Sequence, residues 1–331
     1  MSDATVDFGR LRELRAHRPG EVAERAATRR RRPLLAEHGQ LMLVAADHPA
    51  RGALGVRGDA TAMGDRYALL ERLVTALRRP GVDGVLGTAD VLEDLLLLGA
   101  LDDKVVVASM NRGGLAGAAF ELDDRFTAYD ADSVASAGFD GGKMLCRVDL
   151  ADPATAATVE ACARAVTDLA RHRLMAMVEP FLSHRVDGRV RNDLSTEAVV
   201  KSVAIASGLG ATSAYTWLKL PVVDQMDAVM AATTLPTLLL GGDPEEAPEE
   251  TYAMWEKALA LPGVRGLVVG RTLLYPQDGD VAAAVDTAAR LVHGGATPGA
   301  APAPRPGPPA GGTERPRTAP PAGAATAVVG P

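Results

Sequence analysis

Five lysines stand among thirty arginines in this chain, so each lysine can be weighed separately. Lys104 follows Asp102-Asp103 at the start of an apolar run, Lys201 lies in the helical stretch STEAVVKSVAIA, and Lys257 lies in EETYAMWEKAL. These three are expected to be solvated. Lys143 and Lys219 instead belong to the apolar runs KMLCRVD and TWLKLP, where an ammonium is costly unless it is paired or has work to do. A free lysine has a pKa near 10.4, so only about 0.04% is the nucleophilic amine at pH 7. Burial disfavours the ammonium, as does a second cation nearby, which is the arrangement two interior lysines would create. Two carboxylates end other apolar runs, Asp47 in LMLVAAD and Glu179 in LMAMVEP. Acids so placed could shuttle protons through a carbinolamine and an imine, then take the hydroxyl proton whose loss breaks a carbon–carbon bond. The plainer alternative is a buried salt bridge from each lysine to Glu179, Asp47 or Asp149, although such pairs stabilise a fold only weakly.

Other polar residues close the remaining runs. Gly241-Gly242-Asp243 ends one and Gly270-Arg271 the next. Glycines allow close backbone approach to a phosphate, and Arg271 offers it a two-pronged cation. Lys143, Arg147 and Asp149 share one parity, so if Lys143 points inward the other two are expected to follow; Arg147 is then a substrate-binding candidate. His48, beside Asp47, could bond a substrate hydroxyl or simply hold its loop. The segment RVDGRVRND (185 to 193) could be a flap bringing Arg185, Arg189 or Arg191 over the substrate, but is read as a polar surface loop. NRGGLAGAAF (111 to 120) is read as a mobile loop, since it lacks the GxGxxG spacing of a dinucleotide site.

Eight apolar runs must position these groups: 41 to 47, 83 to 88, 104 to 110, 143 to 149, 174 to 180, 216 to 221, 237 to 242 and 266 to 271. Amphipathic helical stretches separate most of them, such as DRYALLERLVTALRR, stopped by Pro80-Gly81. Continuous apolar strands alternating with helices mean a parallel sheet covered on its faces. Eight such units in about 290 residues predict an α/β fold, a closed (β/α)8 TIM barrel over 41–294, whose chemistry sits at the C-terminal ends of the strands. Residues 1–40 form an N-terminal helical extension, expected to close the bottom of the barrel, with Arg29 to Arg32 as a solvated helix end. Residues 295–331 are 27 of 37 Pro, Gly or Ala and are expected to be a disordered tail.

With 35 basic against 42 acidic residues, the formal charge of -7 gives no reason to expect nucleic acid or an anionic membrane. No run approaches the length of a membrane span, and the polar start MSDATVDFGRLRELRAHRPG has no signal-peptide core. A cytoplasmic location is expected. Cys146 and Cys162 read as one strand and one helix residue, with no disulfide framework or metal site.

These residues resemble the class I, Schiff-base aldolases of the superfamily containing tagatose-bisphosphate, archaeal-type fructose-bisphosphate and deoxyribose-phosphate aldolases. VAADHPARGAL resembles the family's first-strand Asp motif, DGGKMLCRVD its fourth-strand Lys, AMVEPFL its fifth-strand Glu and TWLKLPV its Schiff-base Lys. LLLGGD and GLVVGRTLL resemble its two phosphate turns. The resemblance implies Lys219 as nucleophile, with Asp47 and Glu179 in proton transfer and Lys143 contacting substrate. Gly241, Gly242, Gly270 and Arg271 would hold phosphate. Spacing alone leaves open whether Lys143 or Lys219 forms the imine. His48-Pro49 replaces the Gln-Arg usual in the tagatose enzymes, and the Ser of their seventh-strand turn is missing, which bears on substrate rather than reaction. The likeness extends to actinobacterial barrel proteins encoded with inositol-catabolism enzymes, implying cleavage of 6-phospho-5-dehydro-2-deoxygluconate to dihydroxyacetone phosphate and malonate semialdehyde. The expected ligand is a sugar phosphate, with neither metal nor organic cofactor, and a homo-oligomer is compatible with all of this. Transaldolase, dehydratase or deoxyribose-phosphate aldolase chemistry would use the same residues; a non-catalytic sugar-phosphate-binding barrel is the alternative from another class.

Overall fold

Alternation along short apolar strands decides what each residue faces. In the computed structural model, which describes residues 6–36, 38–242 and 247–294, the strands are β1 (Leu41–Ala46), β2 (Gly84–Gly87), β3 (Val105–Ser109), β4 (Gly141–Val148), β5 (Met175–Val186), β6 (Arg189–Asn192), β7 (Thr216–Leu220), β8 (Thr237–Leu240) and β9 (Val264–Val269). Eight of them pair in parallel in the order β4-β3-β2-β1-β9-β8-β7-β5, and β4 pairs with β5 to close the ring. This is a (β/α)8 TIM barrel. Leu41, Leu43, Ala45, Val105, Val107, Met175, Met177, Trp217, Leu238 and Val268 pack together inside it. The intervening Met42, Val44, Ala46, Val106 and Val178 belong to the layer shared with the helices.

The helices follow local rules. Arg66–Leu77 starts where the Asp65 carboxylate accepts from the Tyr67 and Ala68 backbone N–H groups, and it buries Leu69, Leu70, Leu73, Val74 and Leu77. No helix among the described residues is long and apolar enough to cross a membrane. At the lower end of β9, Gly266 has a φ of 129°, and a Cβ there would lie 1.9 Å from the Leu41 carbonyl oxygen. Only glycine allows β9 and β1 to approach in this way.

The N-terminal segment departs from its expected role. Helices Phe8–His17 and Glu21–Thr28 pack outside the barrel, against the helix Ala89–Leu97, while Leu34 and Leu35 pack against the interior cluster. The arginine run is not a solvated helix end. Arg29 is buried and donates to the carbonyls of Leu101 (3.3 Å), Lys104 (2.7 Å) and Gly138 (2.8 Å), with Asp140 3.7 Å away. Arg30 pairs with Asp102 and Asp103, Arg31 with Asp140, and Arg32 with Asp83. These partners precede β2, β3 and β4, so the run clamps the lower ends of three strands. Lys104 is likewise half-buried rather than fully solvated, donating to Val82 O at 2.6 Å. Arg29→Ala would strip partners from buried carbonyls and is expected to cost about 3 kcal/mol, seen as a fall in Tm of about 6 °C or more in thermal unfolding.

The segment after Glu179 is also not a plain surface loop. β5 runs on past the barrel and pairs antiparallel with β6 from Ser183–Asn192 to Val186–Arg189. Asp187 and Gly188 at the tip both have positive φ (49° and 75°), the two-residue turn that Asp-Gly favours. Arg185 donates to Ala119 O at 2.7 Å, Arg189 is exposed, and Arg191 borders the cavity above the barrel. The expected tail at 295–331, and Asp243, lie outside the described residues.

Candidate active site

The interior columns that are apolar below become polar at the top. Continuing the parity of Leu41, Val105, Met175 and Trp217 brings Asp47, Ser109, Glu179 and Lys219 inward at one end, and Lys143 joins them from β4. Asp47, Lys143, Glu179 and Lys219 line a cavity of about 1200 Å³ at the C-terminal ends of the strands. Lys143 (1% exposed) and Lys219 (3%) are buried in it.

The four residues form one chain of contacts. Lys219 Nζ lies 2.8 Å from Glu179 Oε1, the other oxygen of Glu179 meets Lys143 Nζ, and Lys143 Nζ lies 3.1 Å from Asp47 Oδ2. Asp47 Oδ2 also accepts from Ser109 Oγ at 3.2 Å and faces Arg112 Nη2 at 3.0 Å. Burial opposes ionisation of Asp47, but Arg112, Lys143 and Lys219 prevail and hold its carboxyl well below the usual carboxylate range. Glu179 is held low in the same way, its burial outweighed by Lys143 and Lys219. Burial and the Arg112 guanidinium pull Lys143 down to about 8 despite its two carboxylate partners. Burial pushes His48 down to about 3, against the pull of Asp47 and helped by Arg271 and Lys219. The imidazole is therefore neutral at pH 7. Its Nδ1 has no hydrogen-bond partner among the described residues and lies 3.7 Å from Asp47 Oδ1.

The glycine turns sit at the ends of β8 and β9. Gly242 has a φ of 72°, and a Cβ on Gly241 would come within 2.6 Å of Val269 Cγ1. At Gly270 a Cβ would lie 2.6 Å from Ala45 O and 3.3 Å from His48 Cε1, so a side chain there would displace the histidine. Thr272 Oγ1 joins the turns by donating to Gly241 O at 3.2 Å, and Arg271 donates to Gly55 O at 3.4 Å.

Arg147 lines the cavity as its parity requires, yet its guanidinium is engaged by Asp124 at 2.6 Å and by the Glu121 carbonyl. Asp149 does not join the site: β4 ends at Val148, and the Asp149 carboxylate caps a turn by accepting from Ala151 N at 2.9 Å. The loop expected to be mobile begins with two buried side chains, Asn111 and Arg112. Asn111 brackets Leu145, accepting from its N–H at 2.7 Å and donating to its carbonyl at 2.6 Å. Sequence reasoning missed Ser109 and Arg112, because the third run ends in Ser-Met without a charge. The inward parity of Ser109 was the available signal. Arg51, which follows the first run and borders the cavity, gave none.

The comparisons agree with this fold. The chain is 61% identical to Cgl0159 from Corynebacterium glutamicum (Brevibacterium flavum), whose crystal structure it matches with a TM-score of 0.86, over 89% of this chain and 99% of that one. It is 21% identical to an archaeal fructose 1,6-bisphosphate aldolase (TM-score 0.58, 82% and 99% covered). With a Schiff base-forming fructose-1,6-bisphosphate aldolase it shares 20% identity (TM-score 0.56, 82% and 99% covered). At those identities the two aldolases share the barrel fold with this chain. None of the curated proteins compared with the chain matches it. The family profile described as Cgl0159-like matches residues 39–289, three-quarters of the chain and the whole set of strands, and the protein is therefore a member of the Cgl0159-like family.

Proposed function

We propose that the protein is a class I aldolase that cleaves a phosphorylated keto sugar or sugar acid through an imine on Lys219. The observation that carries this reading is the buried chain Lys219–Glu179–Lys143–Asp47 inside the barrel mouth. A salt-bridge network serving stability alone would hold two lysines and two carboxylates at a desolvation cost that apolar packing avoids.

Glu179 Oε1, 2.8 Å from Lys219 Nζ, takes the proton that the ammonium sheds before the amine attacks the substrate carbonyl. The same carboxyl returns a proton to the carbinolamine oxygen, which leaves as water to give the iminium. Asp47, held ionised by Arg112 and Lys143, accepts the proton of the hydroxyl two carbons from the iminium carbon. The bond between the hydroxyl-bearing carbon and the carbon next to the iminium then breaks, the hydroxyl carbon leaves as the aldehyde, and the electron pair of the broken bond passes into the enamine. Protonation and hydrolysis then release the second product and restore the amine. Lys143 keeps both carboxylates ionised, and neutral His48 bonds a substrate hydroxyl. The turns at Gly241-Gly242 and Gly270-Arg271 hold the phosphate. The resemblance to inositol-associated barrel proteins makes 6-phospho-5-dehydro-2-deoxygluconate the first substrate to try.

Borohydride trapping tests the reading. Reduction in the presence of dihydroxyacetone phosphate is expected to leave an adduct on the peptide containing Lys219. An adduct on Lys143 would keep the mechanism and exchange the two lysines. Absence of an adduct with this and other ketose phosphates would overturn the proposal in favour of a sugar-phosphate-binding barrel.

A further inference from the structure

Three arginines gather at the mouth around Glu121: Arg51 reaches there from the β1 side, next to β9, while Arg112 and Arg147 come from the β3 and β4 side. Arg51 ends the turn Pro49–Arg51 after β1 and is tied to the loop after β3, where Ala116 N donates to the Arg51 carbonyl at 2.8 Å. Arg112 lies in the loop just after β3, and Arg147 stands in β4. In the order of the closed sheet, β3 and β4 lie four strands from β8 and β9, across the mouth from the turns at Gly241 and Gly270.

The three cations are not equally engaged. Arg147 has its donors taken by Asp124 and the Glu121 carbonyl. Arg51 Nη1 and Arg112 Nη2 are buried without a hydrogen-bond partner among the described residues, although both side chains border the cavity. Arg112 Nη2 faces Asp47 as an ion pair and its Nε donates to the Asn111 carbonyl at 2.9 Å, while Glu121 Oε1 makes longer ion pairs with Arg51 Nη1 (3.7 Å) and Arg147 Nη1 (3.6 Å) without hydrogen-bonding either. The other Glu121 oxygen accepts from Gly117 N at 2.9 Å, which fixes the carboxylate to its loop. Burial, together with Arg147 and Arg112, pulls the Arg51 pKa down, so an anion there would relieve crowding of like charge. Buried guanidinium donors left without an acceptor are costly, and a phosphate or carboxylate matches their fork.

We propose that Arg51 and Arg112 form a second anion subsite, separate from the Gly242 and Arg271 turns, that binds a terminal phosphate or carboxylate on the aldehyde-forming half of the substrate. This rests on the aldolase reading and narrows it to keto sugars that are anionic at both ends. The aldehyde product is then itself an anion.

Titration calorimetry with three ligands that carry no aldehyde or ketone, and so cannot turn over, tests the subsite. Glucitol 6-phosphate has one anionic end, glucitol 1,6-bisphosphate has two phosphates, and 6-phosphogluconate has a phosphate and a carboxylate. At least one doubly anionic ligand is expected to bind the wild-type protein about 30-fold or more tighter than glucitol 6-phosphate, and which one does so identifies the second group. Arg51→Gln is expected to reduce the preference to about threefold or less, and Arg51→Lys, which keeps charge without the fork, to restore part of it. Equal affinity for all three ligands in the wild type, or a preference untouched in Arg51→Gln, would overturn the subsite. Borohydride trapping run alongside separates the two proposals: trapping without the preference defeats only the subsite, and the preference without trapping defeats only the aldolase reading.

Discussion

Lys219→Arg is expected to abolish the reaction, with kcat for ketose phosphate cleavage falling by about 10⁴ or more and no borohydride adduct forming. The substitution keeps a cation beside Glu179 Oε1, which Lys219 Nζ approaches at 2.8 Å. It thus preserves the counter-charge of Glu179 while removing a nucleophile, because a guanidinium stays protonated at every working pH. A salt-bridge role for Lys219 predicts the opposite result, with turnover largely retained. Coupled measurement of triose phosphate release decides between them. Binding of 6-phosphogluconate by the variant, at an affinity near that of the wild type, would show that the cavity is intact and that the loss is chemical.

Asp47→Asn is expected to lower kcat by about 10³ and stability by about 3 kcal/mol at pH 7. Both effects have one cause. The Asp47 carboxylate is 1% exposed and faces two cations, Lys143 at 3.1 Å and Arg112 at 3.0 Å, so the neutral amide removes the proton acceptor and leaves those cations under-compensated. Lys143, already down to about 8, is expected to fall further in the variant. The pH dependence has a definite sign. Because the folded carboxyl titrates well below 3.8, its stabilising contribution is complete above the unfolded pKa and disappears as pH falls through and below that range. The Tm difference between wild type and variant should therefore be large at pH 7 and shrink towards pH 3. A difference independent of pH would show that packing, not charge, is what Asp47 supplies. Lys143 works in the other direction. Its folded pKa lies below that of the unfolded chain, so its ammonium costs stability at neutral pH, and the cost diminishes as pH rises from about 8 towards the ordinary lysine range.

How much of this could be read from residues alone differs from one part of the protein to another. The eight barrel strands were legible because burial on both faces writes a strand as an unbroken apolar run, and most runs are separated by helical stretches with recognisable ends. The hairpin of β5 and β6 was passed over although Asp187-Gly188 marks its turn. Its strands are polar and largely exposed, and so carry no apolar pattern. The arginine run 29–32 misled because charge in sequence looks the same whether it meets water or the carbonyls and carboxylates beneath three strands.

By itself the sequence determined the barrel, the end at which its polar side chains converge, and Lys143, Lys219, Asp47 and Glu179 as the charged groups that go inside it. All of these follow from periodicity and desolvation, which are properties of each segment alone. Only the tertiary structure decided that Glu179 lies between the two lysines, that Arg112 rather than Asp149 completes the charge network, and that Arg147 is engaged by Asp124. It also decided that Arg51 faces the cavity from a turn with no pattern of its own. Electrostatic partners are chosen by distances of a few ångströms between residues 23 to 96 positions apart, and such distances exist only once the ring of strands has closed.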